Sequence, residues 1–162
     1  MIGLHPYHLV SEVIRPTLRH MGDKYASPSA QQLLLGTAIV ESDGLRALRQ
    51  YGNGPARGLW QMEPNTLADH RLWLLKHPEL AKAVGQLELP ALAGTAQLAG
   101  NLYYACAMAR VHYWRKHEPL PEANDIAGLG RYWKEHYNTA AGKGTVTKFV
   151  QMWHEADQDN VG

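Results

Sequence analysis

The stretch "LLLGTAIVESDGL", residues 33–45, decides the fold. Its first eight residues are apolar or small nearly all round a helical wheel, the signature of a helix buried in a core rather than lying on a surface. Upstream, "SPSAQQ" supplies Ser27 as N-cap and Pro28 as first helical residue, so one central helix is expected from Ser27 to about Gly44. Glu41 then stands in its last turn, where unpaired carbonyls gather partial negative charge and disfavour an ionised carboxylate. Apolar Ile39 and Val40 beside it add desolvation, which moves a carboxyl pKa the same way. A carboxyl in that setting suits a general acid at neutral pH. The competing reading of Glu41 is a surface residue at a fraying helix end.

Outward from this helix the pattern stays helical. The first candidate covers about residues 6 to 21, kinked or split at Pro16 and stopped near Gly22. Pro64 and Pro78 start helices over about 65 to 76 and 78 to 86, and a longer one is expected over about 92 to 117. "PEANDIAGLGRYWKEHYN" predicts a helix from Asn124 or Asp125 to about Tyr137, and Thr145 caps a last one, "VTKFVQMWHEA". Between the second and third helices, "YGNGPARG" and "LWQM" read as loop with a short irregular strand pair. The fold class is all-α, α+β at most through that small irregular loop, in one domain spanning 1–162.

Composition bounds the function. The chain has 162 residues, 45% hydrophobic and 19% charged, enough for one core without covalent staples. Sixteen Lys and Arg against fifteen Asp and Glu leave a formal charge of +1, so no global field draws nucleic acid. The single cysteine, Cys106, lies in the apolar run "YYACAMA" and is expected as a buried thiol. The N-terminus shows no secretory signal pattern and no apolar run reaches bilayer length. Nine histidines are scattered without a His-Glu-x-x-His helix or a paired Cys-x-x-Cys; His5 and His8 share a helix face but lack a third ligand, and neither a metal site nor another cofactor is expected.

Seventeen residues after Glu41 comes "GLWQMEPNT", residues 58–66. Glu41–Ser42 followed by Gly58, Leu59, Gln61, Pro64 and Thr66 resembles the soluble lytic transglycosylase and goose-type lysozyme group of the lysozyme-like superfamily. In that family a Glu-Ser pair precedes Gly-Leu-Met-Gln and then Pro-x-Thr. Asn101, Leu102 and Tyr104 resemble its long Asn-Leu helix, and Tyr137 with Asn138 its Tyr-Asn motif. The four motifs keep the family order over roughly residues 30 to 150. Trp60 stands in place of the usual Met, Glu63 where a hydrophobic residue is common, and His136 and Thr139 flank Tyr137–Asn138 in a rebuilt loop. The short form without a wall-binding repeat looks like a bacteriophage lysis or virion-associated enzyme, made in the host cytoplasm and acting on the wall after release.

The resemblance implies a lysozyme-like domain that cleaves the β-1,4 bond between N-acetylmuramic acid and N-acetylglucosamine in peptidoglycan. Glu41 would protonate the glycosidic oxygen and, in a lytic transglycosylase, then take a proton from the muramyl 6-hydroxyl. A hydrolytic muramidase usually needs a second carboxylate. Asp43 falls on another helix face, and Glu63, on the motif loop, is the better candidate for that role, against a plain helix-starting residue before Pro64.

Supporting roles follow from what a glycan cleft needs. Ser42 and Gln61 offer neutral hydrogen bonds to acetamido groups or to Glu41, against the alternative of cap and loop bonds. Tyr137 is expected to hold the Glu41 carboxyl, or else to be a core aromatic, and Asn138 to orient the site or cap a helix. Trp60 is the residue nominated to stack on a sugar face, with Tyr51 behind it. Trp73, Trp114, Trp133 and Trp153 fall at helical positions where packing is the default. Arg46, Arg49 and Arg57 read as a solvated rim. The expected partner is the glycan strand of peptidoglycan, bound by a monomer, and the competing class is a non-catalytic glycan-binding or virion structural protein on the same scaffold.

Overall fold

The central helix carries its own start signal. Ser27 accepts the Ala30 amide at 3.1 Å, Pro28 takes the first helical position, and the helix runs Pro28–Glu41 with every residue from Leu33 to Val40 buried. The computed structural model describes residues 3–138 and 142–158; the expected rebuilt loop at 139–141 lies outside them. The chain is 65% helical and no sheet occurs among the described residues, as an all-α domain requires.

Helix α1 joins Pro6–His8, a π-helical turn Leu9–Ile14 and Arg15–Met21 into one rod. Pro16 has no amide hydrogen to donate and its ring would press on the preceding turn; the wider π turn just ahead of it accommodates both, so the expected split is a bulge instead. The central helix is α2. After the loop come α3 (Pro64–Leu74), α4 (Pro78–Gly85), α5 (Ala96–Gly100), α6 (Leu102–Trp114), α7 (Ile126–Trp133) with a π turn Lys134–Asn138 on its end, and α8 (Val146–Gln158).

The single helix expected over about 92 to 117 is two helices. Asn101 adopts an extended backbone (φ −129°, ψ 94°), and its side chain accepts the Tyr104 amide at 3.1 Å while donating to the Leu87 carbonyl at 2.7 Å. An asparagine that can cap a new helix and tie down a neighbouring loop outweighs the continuing apolar period.

The core lies around α2, which packs against α1, α6, α7 and α8. Gly36 makes the closest approach possible: any Cβ there would enter the ring of Phe149 from α8. Cys106 is fully buried, as expected. The loop between α2 and α3 holds only two isolated bridges, Arg49 with Arg57 and Arg57 with Met62, which is the small irregular pair read from the sequence. No described helix is long and apolar enough to cross a membrane.

Candidate active site

Helix α2 ends at Glu41, three residues earlier than Gly44, because Asp43 and Gly44 turn left-handed, with φ +53° and +75°. The Ser42 hydroxyl turns back to the Ala38 carbonyl at 2.6 Å, its amide bonds the same carbonyl at 3.0 Å, and the Gly44 amide takes the Ile39 carbonyl at 2.8 Å. Ser42 is fully buried. Its hydroxyl is therefore engaged by the helix backbone rather than offered to a substrate.

Glu41 faces a cleft of about 720 Å³ between the α2–α3 loop and the segments around Asn138 and Lys148. Its Oε1 accepts the indole N–H of Trp133 at 2.8 Å. The Asn138 side chain lies against the same carboxylate, and Lys148 adds a positive charge at longer range. Burial is the larger influence and holds the carboxyl above the usual carboxylate range in spite of these three. The helix-end position acts in the same upward direction.

The motif loop is built by two left-handed residues. Gly58 has φ +81° and a Cβ there would strike the Leu98 carbonyl; Gln61 has φ +46°, an uncommon conformation for a residue with a side chain. The Gln61 amide bonds the Gly58 carbonyl at 3.0 Å, and its side-chain Nε2 donates to the same oxygen at 2.9 Å. This turn rolls Leu59 and Trp60 into the core and leaves Gln61 and Glu63 lining the cleft.

Trp60 thus corrects the expectation of a sugar-stacking ring. It is 1% exposed, with its indole N–H on the Leu34 carbonyl at 3.0 Å, so neither ring face is open to a ligand. Tyr137 is also placed differently. Its hydroxyl donates to the Trp60 carbonyl at 2.6 Å rather than to Glu41, and so ties the π turn to the motif loop across the cleft floor. The ring still lines the cleft near Glu41, and burial, with a lesser contribution from the Glu41 charge, pushes the phenol well above its ordinary range.

Asn138 lines the cleft as expected, with its Oδ1 accepting from Lys134 Nζ at 2.8 Å. Of the two candidate second carboxylates, Asp43 is engaged by Arg46 and by the Tyr51 hydroxyl at 3.2 Å and does not line the cleft. Glu63 lines it, exposed, and takes no capping bond at the start of α3. Tyr51 is exposed on the cleft wall and offers an aromatic face there.

Sequence reasoning missed Trp133, Lys148 and His112. Trp133 packs as its helical position predicts, at 1% exposure against Phe149; the signal for its second role is that a buried indole N–H needs an acceptor. His112 lines the cleft and belongs to a directed chain. Its Nε2 lies 2.7 Å from the His136 carbonyl, which can only accept, so its Nδ1 is bare and accepts from His70 Nε2 at 2.9 Å. His70 Nδ1 in turn accepts from Arg115 at 2.9 Å. Burial keeps both imidazoles neutral, pushing His70 down to about 3 and His112 to about 4.

No family model matches this chain, and no curated protein or solved structure proved similar to it.

Proposed function

We propose that the protein cleaves the MurNAc-β-1,4-GlcNAc bond of peptidoglycan as a lytic transglycosylase, with Glu41 as general acid and then general base. The observation that carries this reading is Glu41 itself: a carboxyl kept protonatable by burial, fixed by one indole N–H, and open to a cleft large enough for sugar residues. Its proton passes to the glycosidic oxygen as the bond to the muramyl anomeric carbon breaks. The resulting carboxylate, steadied by Trp133, Asn138 and Lys148, removes the proton of the muramyl 6-hydroxyl, and that oxygen closes a 1,6-anhydro ring on the anomeric carbon. Gln61 and Asn138 supply neutral hydrogen bonds to the sugars, and Tyr51 an exposed aromatic face.

The order of the Glu-Ser, Gly-Leu-x-Gln, Asn-Leu and Tyr-Asn motifs supports the same reading, and the phage-type setting, with a monomer acting on the wall after release, is proposed with it. Hydrolysis is the second reading, favoured by one observation: Glu63 shares the cleft with Glu41 and its carboxylate makes no capping bond at the helix start. The test is release of soluble glycan from purified sacculi. Wild type should solubilise the wall, Glu41→Gln should lose at least a hundredfold, and a wild type that binds without releasing fragments overturns the enzyme reading in favour of a binding module.

A further inference from the structure

Away from the cleft floor, the π turn Lys134–Asn138 places His136 beside two carboxylates from different parts of the chain. His136 Nε2 stands 3.6 Å from Glu118 Oε2 and 3.9 Å from Glu135 Oε2, and one ligand atom from each of the three lies within 4.8 Å of the others. Those separations are long for hydrogen bonds. They are close to what one cation needs, since zinc bonds of about 2.0–2.2 Å to nitrogen and oxygen put tetrahedral ligands roughly 3.3–3.5 Å apart.

The imidazole is the fixed member. Its side chain is 9% exposed, and its ring makes no hydrogen bond among the described residues. The backbone behind it is held by His112 on the His136 carbonyl, and the ring of Tyr132 lies against it with centroids 4.4 Å apart. The same Tyr132 hydroxyl donates to the Glu118 carbonyl at 2.8 Å, so one tyrosine braces both the histidine and the segment bearing the first carboxylate. The two carboxylates are 59% and 72% exposed and free to turn inward. An imidazole 9% exposed and braced from behind, with two mobile carboxylates facing its Nε2, has the ligand set and the support that a metal site needs.

We infer that Glu118, Glu135 and His136 form a zinc site, with water in the remaining position, that clips the α6–α7 connection to the turn carrying Tyr137 and Asn138. The imidazole selects zinc over magnesium or calcium, which prefer oxygen-only ligand sets. Sequence spacing could not announce it, because Glu118 is brought in by the fold. The inference does not depend on the reaction proposed for the cleft.

The test is calorimetric titration of the chelator-treated full chain with zinc chloride, alongside thermal melting. One equivalent of zinc should bind with a rise in Tm, and magnesium should do neither. His136→Gln should weaken binding at least tenfold and abolish the Tm rise, and so should the Glu118→Gln/Glu135→Gln double variant, whose exposed side chains leave folding undisturbed. The paired rings of His5 and His8 are the control, and their replacement by Gln should change nothing. No zinc binding by the wild type, binding that survives in both site variants, or binding lost only with His5 and His8 would each overturn the site.

Discussion

The indole N–H of Trp133, at the end of α7, donates to the carboxylate of Glu41, at the end of α2, across 2.8 Å. Glu41 is the last residue of α2 and Trp133 the last of α7 before its π turn, so the bond joins two segments that the packing of α7 against α2 brings together. It also favours the charged carboxylate, against burial, which favours the neutral acid. The site is a balance between those two influences.

Trp133→Phe keeps most of the packing and removes the N–H. With one counterweight to burial gone, the Glu41 pKa should rise further above its ordinary range, and stability should fall by about 1–3 kcal/mol for a lost bond to a charged acceptor. Carboxyl carbon chemical shifts followed against pH would show it. A Glu41 midpoint that stays put or falls would contradict the assignment.

Raising a carboxyl pKa on folding costs stability at higher pH. Below the ordinary value of 4.5 both folded and unfolded Glu41 are protonated; above it the unfolded chain loses its proton first, so stability declines as pH rises through the folded value. Glu41→Gln removes that penalty and still offers Trp133 an oxygen. Urea unfolding should find the variant more stable than wild type at pH 8 and equal to it near pH 4. A variant destabilised at pH 8 would show that burial does not penalise the carboxylate.

His70 and His112 run the opposite way. Their unfolded value is 6.5 and their folded values are about 3 and 4, so the stability they contribute is present above pH 6.5 and is lost as pH falls toward 4 and then 3. Each adds at most about 1.4 kcal/mol per pH unit within its window. Nitrogen-15 shifts should show both rings neutral at pH 5.5 with the proton on Nε2, as the Arg115–His70–His112–His136 chain demands. Half-titration of either ring near pH 6.5 would contradict the chain.

Gly36→Ala places a methyl group where the Phe149 ring sits. Overfilling a close-packed contact of this kind costs about 1–3 kcal/mol, read as a lower urea midpoint with unchanged m-value. A neutral result would mean α8 can withdraw from α2 without loss.

Much of this fold was legible because it rests on local signals. Ser27 and Pro28, Asp125 and Thr145 start helices as their side chains dictate, and the apolar run 33–40 is buried as its all-round pattern requires. Asn101 was less legible, since an apolar period running through it hides a cap. Packing is the right reading of Trp133 but an incomplete one, and exposure the wrong one for Trp60. Periodicity shows that a helical residue such as Trp133 faces inward but not that its polar edge meets a carboxylate 92 positions away. Nor does a loop sequence reveal direction: the left-handed conformations of Gly58 and Gln61 turn Trp60 into the core and leave Gln61 outside. Glu41 was legible in position, while the residues that hold it were not, apart from Asn138.

The most direct test of the central claim is mass spectrometry of the fragments released from purified peptidoglycan by wild type and by Glu41→Gln in parallel. The account predicts muropeptides ending in 1,6-anhydro-muramic acid from the wild type and none from the variant. Fragments heavier by one water would contradict the transglycosylase mechanism and point to Glu63 as the second carboxylate, and anhydro products undiminished in the variant would contradict the role of Glu41.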